Sequence, residues 1–425
     1  MYDDERLLII SNNVLSETTN NGKTLLSFFD NLPPKNVNQL YFSGELPTIE
    51  NYNYFRISDI DIIRGRVKPA NRGAVVYKNQ DITEKEDWYK GKKHQYGNIK
   101  RLAREILWYK AWESDSLWSW LEQISPTTLF FLGGDACFAY EICKAIKLKY
   151  NSKLAMYITD DYVMPRRYET WTAKLRRMLI RKHLKENILM TDVFFTVSEI
   201  MARDYYAEFG KKSYTIVNMS DCLKQVNIIK RDDYVNLVYA GSLYYGRDDV
   251  LVSLSEAIKR FNIKGNGVKI KLYIYSNVSM NGKLTRKFSQ FKDTIFEGAL
   301  EFEELRQTLN AMNIVVFVES FEEKNIEKVK YSLSTKIPEY MSLEKPILAI
   351  GPKEIGSIDY LEDVAFCIND KEYLYFGLEK LINNKSLQER LGKMAKEKYE
   401  LNHRKIIVQE KFLGVLFGKI GCDKV

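Results

Sequence analysis

Ser334, Thr335, Lys336 and Glu339 fall within one short stretch and together carry groups suited to a phosphorylated, hydroxyl-bearing molecule. The stretch 331–350 reads as a polar loop, a short helix and a buried strand. Ser334 and Thr335 are hydroxyl residues at a helix start, where they can cap free backbone N–H groups. Pro338 is tolerated only in a first helical turn, which puts the start near Thr335. A helix start offers unpaired N–H groups and a positive dipole end, a setting that suits a diphosphate. Lys336 adds a point charge there. Glu339, three residues on, can accept hydrogen bonds from sugar or ribose hydroxyls. The apolar run 346–350 is of buried-strand type.

A second phosphate-type feature lies at 239–247, where a strand, a turn with Gly241 and Gly246, and then Arg247 precede a helix. Glycine lets the backbone approach a ligand closely, and phosphates bind at such strand-to-helix turns. Asp160 and Asp161 end another apolar run, and either could take a proton from an attacking hydroxyl or hydrogen-bond a sugar. Thr159, Asp160 and Asp161 could instead hold a metal. The three histidines, His94, His183 and His403, have no spacing for a zinc site or a triad.

The pattern S-x-K-x-x-E-Y followed by K-P-I-L-A resembles the nucleotide-sugar motif of GT-B glycosyltransferases, most closely the large retaining family, glycosyltransferase family four-like, that contains many capsule and exopolysaccharide transferases. That resemblance implies two Rossmann-like domains facing a cleft, with the last helix crossing back to the N-terminal domain. It implies that Ser334, Thr335 and Lys336 hold the donor diphosphate and that Glu339 contacts the ribose. Gly241, Ser242 and Arg247 would line the phosphates, with Arg247 matching the first of the family's two basic residues; the second is replaced by Asp248 and Asp249. Asn277, Gly298 and Leu300 would line the base pocket, and Gly22 in 20–24 would sit in the family's N-terminal glycine loop. Tyr331 stands where the family's E-x7-E pair has its first Glu. Catalytic roles would go to Asp160, Asp161, Arg247 and Lys336. The implied reaction is metal-independent hexosyl transfer with retention, from a nucleotide-diphosphate donor (UDP-sugar favoured, no cofactor) to a saccharide or lipid-linked saccharide acceptor in bacterial surface polysaccharide or glycoconjugate synthesis. The two departures leave an alternative: a non-catalytic GT-B-like subunit that stabilises a partner transferase. A sugar-nucleotide epimerase of the same fold would need paired acid–base residues, and none stands out.

The elements that must position these residues follow from length and patterning. The 425 residues are enough for two domains, and 45% apolar content can build two cores. Short apolar runs alternate with helical patterns, the mark of parallel α/β layers. Strands are expected at 7–11, 39–43, 128–132, 154–159, 193–197 and 214–218, with helices at 136–150, 168–187 and 199–210. The polar, tyrosine-rich region 45–100 reads as one strand and longer loops. A polar linker is expected at 221–233, and then a second α/β set with strands at 236–240, 269–275, 294–297, 314–318 and 347–350. Domains are expected at 1–225 (acceptor), 226–400 (nucleotide sugar) and 401–425, the returning helix.

The net charge of +8 is too diffuse for a dedicated nucleic-acid binder but fits an anionic substrate or surface. Five cysteines without paired spacing point to reduced thiols in a cytoplasm. No targeting segment or membrane-spanning run is visible. The basic segment 165–185 places Trp171, Leu175, Met178 and Leu179 on one face and Arg176, Arg177, Arg181, Lys182 and Lys185 elsewhere. It reads either as a core-packed helix with a solvated basic face or as a peripheral contact with the inner face of the cell membrane.

Overall fold

The computed structural model describes residues 5–17, 20–66, 72–78, 97–220, 234–265, 267–278 and 282–419. The expected linker 221–233, His94, Cys222 and Cys422 lie outside the described residues. The chain divides into two units, one of residues 1–216 with 409–425 and one of residues 217–408.

The first unit is built on an eight-stranded sheet: β1 Leu7–Ser11, β2 Val37–Tyr41, β3 Asn53–Arg56, β4 Ala74–Val76, β5 Thr128–Gly133, β6 Lys153–Ile158, β7 Val193–Thr196 and β8 Tyr214–Thr215. Their order is β4-β3-β2-β1-β5-β6-β7-β8, parallel except for β4 against β3. The order reverses between β1 and β5, which makes that edge a switch point. β1 is buried along its whole length, as expected where helices cover both faces of a parallel sheet. Phe412, on the helix Lys405–Leu416, packs against Phe28, Phe29, Phe130 and Phe195 at ring separations of 4.7, 5.5, 5.4 and 5.1 Å. Residues 409–425 thus belong to the first unit.

Two expectations need correction here. Among its described residues, region 45–100 holds two strands, β3 and β4, and the helix Asp59–Gly65, and the helix Asn98–Trp108 begins at its end. Its apolar residues are few and interleaved with tyrosines, which blurs the period. The helix Asp115–Ile124 also went unread. Residues 20–24 form no glycine loop: they lie inside the helix Asn20–Leu26, where Gly22 is buried.

The second unit carries β9 Tyr234–Ala240, β10 Lys269–Tyr275, β11 Thr294–Gly298, β12 Ile314–Val318, β13 Ile347–Ile350 and β14 Phe366–Ile368. All are parallel, in the order β11-β10-β9-β12-β13-β14. Here the order reverses between β9 and β12. Leu237, Ile270, Leu272, Ile274, Ile314 and Val316 fill its core with Leu254, Ile258 and Phe261 of the helix Arg247–Lys264.

Candidate functional site

The C-terminal ends of the second sheet's strands line up through backbone hydrogen bonds. Gly241 N–H donates to the Tyr275 carbonyl at 2.9 Å, Ser276 N–H to Gly298 at 2.8 Å, Glu319 N–H to Ile350 at 2.8 Å and Gly351 N–H to Ile368 at 3.1 Å. Gly241, Ser276 with Asn277, Gly298, Glu319 and Gly351 therefore form one edge. Open α/β sheets bind ligands at such an edge, at the switch point.

Strands β9 and β12 part at this switch point, since their pairing ends at Val238 and Val315. The Ala240 backbone groups left beyond the pairing are met by Tyr340, whose hydroxyl accepts from Ala240 N–H at 3.2 Å and donates to its carbonyl at 3.1 Å. Tyr340 is buried on the helix Lys336–Ser342 and so docks that helix beside Gly241. An ideal Cβ on Gly241 would stand 2.8 Å from the Tyr239 hydroxyl and 3.4 Å from Lys336 Nζ, so only glycine leaves this approach open. Gly246 has φ +74°, and a Cβ there would lie 2.6 Å from Ser320 Oγ.

Arg247 opens the helix Arg247–Lys264 and does not stand free. Its Nε and a terminal nitrogen donate to the two carboxylate oxygens of Glu319 at 3.0 and 2.8 Å. Glu319 is almost fully buried. Burial pushes its carboxyl upward against the opposing pull of Arg247 and, more weakly, Lys336. The Arg247 guanidinium is raised although burial acts the other way, because the Glu319 charge prevails. Lys336 is held below the ordinary lysine range, first by burial and then by the like charge of Arg247, with Glu339 and Glu319 opposing. Arg247, Lys336, Glu319 and Glu339 thus form one electrostatic cluster, in which two cations share a partly desolvated space.

The capping expectation holds only in part. The helix begins at Lys336, and Ser334 Oγ accepts from Lys336 N–H at 3.4 Å, but Thr335 is exposed, helical in backbone and makes no capping bond. The Ser334 backbone is anchored instead through Ser357 Oγ at 3.0 Å. Ser242 Oγ accepts from Tyr244 N–H at 3.2 Å. Asn277 is exposed beyond β10, and Leu300 is half-buried in the loop after β11. Tyr331 is buried beneath the loop.

Sequence reasoning missed Glu319 and Tyr340. The readable signal for Glu319 was one acid ending the wholly apolar run of β12, where an unpaired charge would be costly.

In the first unit Asp161 is not an open carboxylate. It accepts from the backbone of Val163 and Met164 at 3.1 and 3.0 Å and from the Tyr205 hydroxyl at 2.9 Å, so it shapes the turn after β6. All three bonds fall on Oδ1, and an Arg166 terminal nitrogen lies 3.5 Å from Oδ2. Asp160 keeps an exposed surface yet is surrounded by protein, and lost hydration raises its carboxyl, with Asp135 and Asp161 adding to the effect. Asp135, just past β5, is the shared carboxylate of Arg101 and Arg176. Among the described residues no group of three or more His, Cys, Asp or Glu could hold a metal ion.

The basic face expected on 165–185 is also revised. Arg176 is buried against Asp135, Arg177 grips both oxygens of Glu169, and Arg181 pairs with Glu208. These arginines are internal ties, because carboxylates from neighbouring loops and helices meet each of them.

No family model matches the chain, and no curated protein matches it. Solved structures do. A point mutant of TarM from S. aureus, in complex with fondaparinux, alpha-GlcNAc-glycerol and UDP, is 17% identical over 70% of this chain, with a TM-score of 0.51. The chain spans 57% of that protein's length. An alpha,alpha-trehalose 6-phosphate synthase from Burkholderia multivorans is 11% identical, covering 98% of this chain and 97% of its own, with a TM-score of 0.63. A sucrose-phosphate synthase from Thermosynechococcus elongatus is 11% identical, covering 98% of each chain, with a TM-score of 0.62. At these identities the likeness is one of fold, and the fold is GT-B.

Proposed function

We propose that this GT-B chain is a glycosyltransferase that moves a sugar from a nucleotide-diphosphate donor, a UDP-sugar in first preference, to a saccharide or lipid-linked saccharide acceptor in bacterial surface polysaccharide or glycoconjugate synthesis. The observation that carries this reading is the pairing of Arg247 and Lys336 beside buried Glu319 at the switch point of the second sheet. Burial and the like charge of Arg247 act against the Lys336 ammonium there, and a diphosphate would act in its favour. The TarM complex with UDP, and the recurrence of this fold in two sugar-phosphate synthases, support the same ligand class.

In this reading Gly241 and Ser242 bring backbone close to the diphosphate. Lys336 and Arg247 stabilise the charge that grows on it as the bond to the sugar breaks, which is electrostatic stabilisation of a leaving group. Glu319 holds Arg247 in place before the donor arrives. Glu339 receives ribose hydroxyls, and Asn277, Gly298 and Leu300 border the base. The acceptor oxygen would attack with retention of configuration, and Asp160 of the first unit, whose carboxyl burial raises, is proposed to take or share its proton. In this proposal Arg247 and Lys336 take the place of a divalent ion beside the diphosphate.

A second reading, a non-catalytic partner-stabilising subunit, is favoured by two observations: Arg247 is already bound bidentately to Glu319, and buried Tyr331 stands where the resembled family has an acid. Turnover by the purified chain alone, in EDTA, decides between them. Release of nucleoside diphosphate from at least one of the UDP-, GDP- or ADP-sugars supports the transferase. Donor binding without release by the chain alone, and release only with a partner, supports the subunit. Activity lost in EDTA and restored by manganese would contradict the metal-free mechanism.

A further inference from the structure

We infer that the outward face of the helix Trp171–Met190 is a docking surface for an anionic lipid bilayer. The residues this helix turns to solvent are Trp171, Lys174, Leu175, Met178, Leu179, Lys182, Lys185 and Leu189. They recur every three or four positions and so form a single row along the helix. Five of its side chains are apolar and three are lysines. Trp171 and Leu189, near its two ends, are 75% and 76% exposed.

The arginines are already paired, Arg176 and Arg177 with Asp135 and Glu169, and Arg181 with Glu208, which is itself exposed. The one acid of the helix, Glu186, is paired with Lys144 at 2.9 Å. What remains outward is apolar or positive. The helix Asn98–Trp108 packs beside this one, and Arg101 and Arg176 reach the same Asp135 carboxylate from the two helices. It repeats the composition outward with Ile99, Lys100 and Ile106, the isoleucines 68% and 74% exposed.

A row of this kind has one occupant that satisfies both of its components. Leucine, methionine and isoleucine gain by leaving water for the acyl boundary, and an indole settles at the headgroup level. Lysine stems lie along apolar surface while their ammonium groups reach lipid phosphates. A second copy of the chain is disfavoured, because a two-fold contact sets the face against itself and lysine against lysine. The inference stands apart from the donor reading, because none of these residues belongs to the Arg247–Lys336 cluster.

The test is co-sedimentation of the full chain with vesicles. Wild type should bind vesicles of about 30% phosphatidylglycerol in phosphatidylcholine at ~0.1 M salt, and lose at least ~10-fold in partitioning at ~0.5 M salt or on phosphatidylcholine alone. Two surface variants separate the components: Trp171→Ser/Leu175→Ser/Met178→Ser and Lys174→Gln/Lys182→Gln/Lys185→Gln. Each should lose about 10-fold or more on anionic vesicles while keeping the wild-type melting midpoint and UDP affinity. The inference is overturned if wild type does not sediment with anionic vesicles, if either variant sediments as wild type does, or if the apolar variant converts a dimer to a monomer in sedimentation velocity without any vesicle binding.

Discussion

Arg247 and Glu319 are joined by two hydrogen bonds of 3.0 and 2.8 Å across the point where the second sheet reverses its strand order. The acid ends β12 and the arginine opens the helix after β9, so the pair closes the gap left where these strands part. Glu319 is 3% exposed, and a carboxylate so placed persists only with a charged partner.

Removing the acid leaves the guanidinium without its partner. Glu319→Ala should cost about 3 kcal/mol of stability, at the lower end for breaking a buried pair because Arg247 retains some solvent contact. The double variant Glu319→Ala/Arg247→Ala should lose less than the two single losses added. Urea unfolding of the four proteins measures the coupling, and strictly additive losses would show that the pair is not coupled.

Lys336 supplies a pH signature. Burial and Arg247 hold its ammonium below the ordinary value of 10.5, so it loses its proton earlier than a surface lysine as pH rises. An anionic donor binds the protonated form, and affinity should therefore fall with rising pH on the alkaline side. Lys336→Arg, which cannot titrate there, should keep UDP affinity flat over the same range. An identical alkaline decline in both proteins would remove Lys336 from the site.

A second titration concerns stability alone. His403 is fully buried; its Nδ1–H donates to the Asn218 carbonyl at 2.6 Å and its Nε2 accepts from the Tyr360 hydroxyl at 2.9 Å, the pattern of a neutral ring. Burial lowers it from 6.5 to about 4. Between those values the unfolded chain binds the extra proton, so stability is full above pH 6.5 and declines as pH falls toward 4. The loss over that window should be about 3 kcal/mol. His403→Gln should be less stable at pH 7 but show a shallower acid slope in urea midpoints. Parallel slopes would assign the acid loss to other groups.

The strand-and-helix alternation of the second unit was legible because its parallel strands are continuous apolar runs bounded by glycine and polar turns. Lys336 and Arg247 were legible for the same reason: each follows a strand or loop whose end the pattern marks. Glu319 was overlooked: it follows the apolar run of β12 directly, but Glu322 and Glu323 come close behind, and only the fold sets Arg247 opposite it. Asp160 and Asp161 are equivalent in sequence, and only the turn to Val163 and Met164 separates an open carboxylate from an occupied one. The arginines of Trp171–Met190 read as solvated because their acids, Asp135 and Glu208, lie 41 and 27 positions away, beyond any local pattern.

Calorimetric titration of UDP probes the nucleoside-diphosphate site proposed at Arg247, Lys336 and Glu339. Wild type should bind with one site per chain. Lys336→Ala and Glu339→Ala should each lose about 1.5–3 kcal/mol of binding, roughly 10- to 150-fold, with melting midpoints preserved. Unchanged UDP affinity in both variants would contradict the site.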